Sequence, residues 1–179
     1  MKAPRRWRTA ILLAALAATA TAAGIRGGPR IRAWLSPSFN EIEEGLWLGG
    51  RVAAPPPGTH AVLNVSQDAD PYQAPVHRWE PIPDGPPAPS LDWLRRQVDF
   101  VSAQRRAGKP VYVHCRVGVS RSGMVVVAYE MQEHGWTFEQ ALAHVRTRRS
   151  IVSPNRAFHP LLREWEQVVR AEGRQPPPR

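Results

Sequence analysis

His114-Cys115-Arg116-Val117-Gly118-Val119-Ser120-Arg121-Ser122 separates a short β-branched and aromatic run from a long apolar one. Upstream, Pro110-Val111-Tyr112-Val113, opened by Gly108-Lys109, has the length and composition of a buried strand. Downstream, Met124-Val125-Val126-Val127-Ala128-Tyr129-Glu130-Met131 is too long for one more strand and continues to Glu133-His134-Gly135. A mostly buried helix is therefore predicted over Ser122 to His134, stopped by Gly135. A strand, a tight loop and a helix N-terminus in that order build an anion site. The first amides of the helix lack intrahelical partners, and the helix dipole adds partial positive charge.

The only cysteine of the chain lies in this loop. Cys followed six positions later by Arg is weak on its own in a chain with twenty-two arginines. Requiring also His before the Cys, Gly three after it and Ser after the Arg makes coincidence rare. The chemistry explains the residue types. A helix N-terminus and a nearby guanidinium both favour the thiolate of Cys115, which is the nucleophilic form. Arg121 can hold two oxygens of a phosphate through its planar fork. Gly118 permits a turn and a close backbone approach to the anion, alongside Arg116, Val117, Val119 and Ser120 as further loop residues that line it. Ser122 can donate to the sulfur when it leaves as thiolate, and His114 is read as ordering the loop rather than moving protons.

These residues resemble the signature loop of the cysteine-dependent dual-specificity protein phosphatases, within the protein tyrosine phosphatase superfamily. The resemblance extends to Phe39–Gly50 as an opening hairpin, His60–Ser66 as the next strand, and Ile151-Val152-Ser153-Pro154-Asn155-Arg156-Ala157-Phe158 as the lead into the last helix. Ala157 stands where many relatives have glycine and Val117 where alanine is commoner; neither removes a chemical group. Pro160 falls at the start of the last helix and leaves its first residue open. The resemblance implies an α/β fold with a central, mainly parallel sheet flanked by helices, of protein tyrosine phosphatase type. It covers roughly residues 37–170, with residues 1–36 preceding the domain and residues 171–179 read as a disordered Pro-rich tail.

Such chemistry needs an acid to protonate the departing oxygen. From residue types alone the candidates are Asp68, Asp70, Asp84, Asp92 and Asp99. Asp92 and Asp99 fall in an amphipathic helix over Ser90 to Arg106, with Leu91, Leu94, Val98 and Val101 as its buried stripe. Asp84 follows the strand-like Val76–Ile82 and opens the loop Asp84-Gly85-Pro86-Pro87-Ala88-Pro89, at the carboxyl end of a strand where α/β sheets present functional groups. The resemblance points to the same residue, with Asp68 and Asp70 as runners-up, and to Asn155 as a supporting group.

The expected reaction is two-step phosphoester hydrolysis through a phosphocysteine, acting on phosphotyrosine and phosphoserine or phosphothreonine in proteins. No cofactor and no metal are expected: the covalent route needs none, and no acidic or His/Cys cluster stands at ligand spacing. Relatives that cleave phosphoinositides make a phospholipid substrate the alternative. Their loops tend to carry extra lysines, whereas Arg116 is the only basic residue inside this one. A silent phosphate-binding module and a sulfur-transfer or arsenate-reducing protein are the remaining rivals.

Of the formal charge of +9, +7 sits in residues 1–36, which contain no acid, leaving +2 on the remainder. A nucleic-acid partner is not expected, because it would need the basic residues gathered on the folded domain. The basic start instead precedes an apolar stretch, residues 9–23, ending near Ala20-Thr21-Ala22, in the manner of a secretory signal peptide or a short membrane anchor. Export or anchoring is favoured over the cytoplasm. Thr137-Phe138-Glu139-Gln140 is a capping box opening a helix to about Arg148, and Arg146, Arg148 and Arg149 are read as its solvated end. Trp47, Trp79, Trp93, Trp136 and Trp165 are assigned to core or edge packing.

Overall fold

The computed structural model describes residues 37–173. The apolar stretch 9–23, with the export or anchoring assigned to it, and tail residues 174–179 lie outside the described residues. Strand β1 (Phe39–Glu43) turns back on β2 (Leu46–Gly49) through Gly45, whose φ of 72° suits glycine. Three further strands follow: β3 (Ala61–Asn64), β4 (Val76–Trp79) and β5 (Val111–His114). They form one sheet in the order β1-β2-β5-β3-β4, parallel throughout except for the antiparallel β1–β2 pair. The mainly parallel sheet expected from the sequence is present.

Helix α1 (Leu91–Arg106) starts on Ser90, whose side chain accepts from the Trp93 amide, and it supplies the crossover from β4 to β5. Helix α2 (Arg121–His134) follows the loop after β5 and ends on Gly135 in the left-handed region, at φ 67°. Helix α3 (Phe138–Arg148) opens with the expected capping box, Thr137 and Gln140 bonding reciprocally. A 3-10 turn (Arg156–Phe158) leads into α4 (His159–Ala171), with Pro160 accommodated in the first turn, where a missing amide donor costs nothing. Among the described residues no helix is long and apolar enough to cross a membrane.

The central strands are buried on both faces, so Ala61–Asn64 and Val111–His114 show no alternation. Leu46, Leu48, Leu63, Val113, Leu94, Val98, Met124, Phe158, Leu162 and Trp165 belong to one continuous core. Each fully buried side chain of this size contributes about 1.5–3 kcal/mol of apolar transfer. Trp165 is locked in place by donating its indole N–H to the Ala128 carbonyl (2.9 Å). Trp79 is an edge residue rather than a core one: it is half exposed, tethered by its N–H to the Ser66 carbonyl. It closes an edge strand, which has no further neighbour to cover it.

Register brings Gly49, His114, Asn64 and Trp79 side by side at the carboxyl ends of the four parallel strands. The loops that follow those four residues therefore open on the same edge of the sheet. At the other edge, burial together with the charges of Glu43 and Glu133 pushes the Glu130 carboxyl up to about 8. A carboxyl raised in the native state stabilises the fold fully below its ordinary value and loses that contribution as pH climbs through about 8. Glu130→Gln should therefore raise the melting temperature more at pH 8.5 than at pH 5 in chelator-treated buffer. Equal shifts at both values, read by calorimetry, would contradict a protonated Glu130.

Candidate active site

Cys115 follows directly on β5, its amide reaching the Gly49 carbonyl (3.4 Å), and the residue is 2% exposed. Sγ receives the Gly118 amide (3.3 Å) and the Ser122 hydroxyl (3.3 Å). Burial raises the thiol pKa, but the hydrogen bonds from Ser122, the charge of Arg121 and the Val117 backbone outweigh it, and the net position is below an ordinary thiol. The loop thus favours the nucleophilic form. Arg116 and Val117 stand exposed at its lip, while Gly118, Ser120, Arg121 and Ser122 are buried and Val119 is half-buried.

Arg121 opens α2 with its guanidinium tucked beneath the loop after β4. Nη1 donates to the Ile82 carbonyl (3.3 Å), and Nε lies 3.8 Å from Asp84 Oδ2, too far for a hydrogen bond. That Nε is buried and lacks a partner among the described residues. It is a charged donor held ready beside the sulfur's loop.

Asp84 is brought to the same place by three contacts. Its Oδ1 accepts the Ser120 hydroxyl (2.5 Å), the backbone carbonyl accepts the Asn155 amide group (3.1 Å), and Ser120 Oγ in turn accepts the Asn155 N–H (2.9 Å). Asn155 therefore clamps the acid-bearing loop to the anion-binding loop. The remaining aspartates stand apart from this constellation. Asp92 and Asp99 lie on the exposed face of α1, and Asp68 is exposed with only its carbonyl engaged, by Asn64 and Ser66. Asp70, a runner-up for the acid, is corrected by its surroundings: its side chain is fully buried and Oδ2 meets His114 Nε2 and His77 Nε2, each at 3.0 Å. Burial raises its pKa, yet the hydrogen bonds and charges of the two histidines leave it lower than usual. Such a carboxylate is a poor proton donor near neutrality and a good orienter of His114.

His114 is held on several sides. Besides Asp70 it touches Tyr72 Oη (3.4 Å) and stacks on Tyr112 with centroids 4.9 Å apart. The Tyr112 hydroxyl donates to the Gly50 carbonyl.

Two supports of the loop were missed in the sequence. Arg149, assigned to a solvated helix end, is 2% exposed. It donates to Gly118 O (2.8 Å), Val117 O (3.1 Å), Pro37 O (2.7 Å) and Asn40 Oδ1 (2.7 Å), so that its fork holds the loop from behind and leaves the loop amides facing forward. Arg149 lies just two residues upstream of Ile151–Phe158, the segment that resembles the family's lead into its last helix. The second support is Gly49-Gly50. Gly118 has φ 74°, and a Cβ on it would come within 2.3 Å of the Gly49 backbone, so the two stretches approach too closely for side chains.

The chain is similar to known proteins over most of the described domain. A family model described as the dual specificity phosphatase catalytic domain matches residues 58–168. Dual specificity protein phosphatase 1 of Arabidopsis thaliana is 36% identical over 137 residues, covering 72% of this chain and 69% of that protein. A Slingshot homolog protein phosphatase of Xenopus laevis is 41% identical over 81 residues, 45% of this chain and only 12% of its own length. Among solved structures, a mouse putative dual specificity phosphatase complexed with zinc tungstate aligns with a TM-score of 0.72 at 28% identity, covering 80% of this chain and 95% of that one.

Gly118→Ala should abolish phosphate-analogue binding, because strain at positive φ and the clash with Gly49 act together. Arg149→Ala strands several acceptors and should lower stability by on the order of 3 kcal/mol. Denaturant melts and vanadate binding check both; an Arg149→Ala protein with wild-type stability would return that residue to the solvated face.

Proposed function

The chain belongs to the dual specificity phosphatase family, and from that premise we propose that it hydrolyses phosphomonoesters in proteins, on tyrosine and on serine or threonine, through a phosphocysteine. The observation that supports this most directly is the sulfur of Cys115 receiving two donors, with Asp84 of the neighbouring loop bonded to Ser120 and 3.8 Å from the Arg121 guanidinium.

In the first step the Cys115 thiolate attacks phosphorus as the P–O bond to the alcohol or phenol breaks. Arg121 and the loop amides hold the non-bridging oxygens, and the Asp84 carboxylic acid gives its proton to the departing oxygen. In the second step the Asp84 carboxylate takes a proton from water as that water attacks phosphorus. The S–P bond breaks, and the returning thiolate is met by the Ser122 hydroxyl. Every step is carried by residues of this chain.

Phosphoprotein is preferred to phospholipid because the exposed lip presents Arg116 and Val117 and no lysine. Export or membrane anchoring through residues 9–23 remains part of the reading on sequence grounds alone.

Turnover of p-nitrophenyl phosphate by the full chain, with EDTA present, should vanish in Cys115→Ser. The thiolate requirement makes the rate fall on the acid side and the acid requirement makes it fall on the alkaline side. Asp84→Asn should lower kcat by about 10²–10⁴ and remove the alkaline limb. An unchanged profile would move the acid elsewhere. A preference for phosphoinositide vesicles over phosphopeptides would reverse the substrate assignment, and tight vanadate binding without turnover would make this a binding module.

A further inference from the structure

At the edge of the sheet opposite the catalytic loop, three elements bring together groups from distant parts of the sequence. Glu43 ends β1, Glu130 and His134 lie one turn apart on α2, and His144 projects from α3. Glu130 is roughly 14 Å beyond Arg121 along α2, at about 1.5 Å per residue. Sequence spacing shows no metal-ligand cluster here; Glu43 and His144 reach Glu130 and His134 only through tertiary packing.

His134 Nε2 lies 3.2 Å from Glu130 Oε2 and 3.7 Å from Glu43 Oε2, and His144 Nε2 lies 3.8 Å from Glu130 Oε2. One ligand atom from each of Glu43, Glu130 and His134 falls within 4.8 Å of the other two. Tetrahedral coordination with bonds of about 2.0–2.2 Å separates ligand atoms by roughly 3.4 Å, so only small side-chain adjustments are needed. Glu43, Glu130 and His134 thus converge on one another, and His144 approaches the same Glu130 oxygen.

Glu130 supplies an independent indication. Its side chain is fully buried, and neither carboxylate oxygen has a hydrogen-bond partner among the described residues. A carboxylate in that condition is costly unless something positive completes it. The nearby cation, Arg105, is directed to Glu43 Oε1 (3.5 Å), which also accepts the Tyr129 hydroxyl (3.0 Å). Those two bonds fix the Glu43 carboxylate and leave Oε2 turned toward His134, as outer partners orient ligands in metal sites. Trp136 fixes the imidazoles in the same way, with centroids 4.2 Å from His134 and 4.9 Å from His144. Both histidines are about one-third exposed, which leaves an entry path.

We propose that Glu43, Glu130, His134 and His144 form a binding site for one divalent transition-metal ion of the zinc type, clamping β1, α2 and α3 together away from the catalytic loop. Two imidazoles with two carboxylates suit zinc, cobalt or nickel better than calcium or magnesium, which favour all-oxygen shells. The C-terminal end of α2 carries partial negative charge and adds to the attraction. The site shares no residue with the catalytic constellation, so either can fail without the other.

The test uses the full chain without a histidine tag, carrying Cys115→Ser so that the active-site thiolate cannot compete for metal. After chelator treatment it is titrated with Zn²⁺ by calorimetry and with Co²⁺ by visible absorption and tryptophan quenching. One equivalent should bind, the Co²⁺ bands should be those of nitrogen and oxygen ligation, and quenching should be lost in Trp136→Phe. Glu130→Gln and His134→Gln should each weaken binding at least ~10-fold, while His60→Gln leaves it unchanged. Because His134 is partly exposed, its variant keeps a folded reference if Glu130→Gln disturbs the core; circular dichroism verifies both. Absence of stoichiometric uptake, or uptake that His134→Gln leaves intact, would overturn the site.

Discussion

A cysteine that must be an anion while only 2% exposed imposes the demand from which most of this architecture follows. Burial alone would hold Cys115 protonated, and the fold answers with donors rather than with solvent. The Gly118 amide and Ser122 hydroxyl point at the sulfur only because the loop turns through positive φ at Gly118. That turn lies so close to Gly49 that a Cβ has no room. The loop carbonyls must then face outward, where the buried fork of Arg149 collects two of them. Thiolate, glycine pair and rear arginine are one solution to one electrostatic problem.

Asp84, the proposed acid, is tied to the same loop by Ser120. Its hydroxyl donates to Asp84 and accepts from the Asn155 backbone, while the Asn155 side chain holds the Asp84 carbonyl. An exposed loop rich in proline and glycine is thereby docked on a rigid one. Asp84 stays 42% exposed, as the proposed proton exchange with water requires, whereas Asp70 is sealed between His114 and His77. Two aspartates a short distance apart in sequence thus sit in opposite environments.

What could be read in advance was local. The anion loop, its flanking strand and helix, the Gly135 stop, the capping box at Thr137 and the position of Asp84 depend on neighbours a few residues away, and sequence displays such neighbours. Arg149 was misread because its partners, Pro37, Asn40, Val117 and Gly118, lie far off in the chain. An arginine after a helix end looks solvated until a loop returns to cover it. Asp70 was kept as a possible acid for a related reason: only the register of β3 against β5 and β4 brings His114 and His77 to it. Glu43 and Glu130 meet through the packing of β1, α2 and α3, which no spacing rule anticipates.

Helix α2 joins these regions. Almost all of its residues are buried, so it leaves little freedom to move one end without the other. Its N-terminal end, with no acidic residue in the first turn, presents amides and Arg121 to an anion. Its C-terminal end carries the opposite polarity and meets Glu43, Glu130 and two histidines. Helix-dipole physics favours an anion at the first and a cation at the second. Since the described domain accounts for little of the chain's net positive charge, neither ligand would be gathered by a global field. Each would be selected within a few ångströms, by fixed donors at one end of α2 and by unsatisfied acceptors at the other.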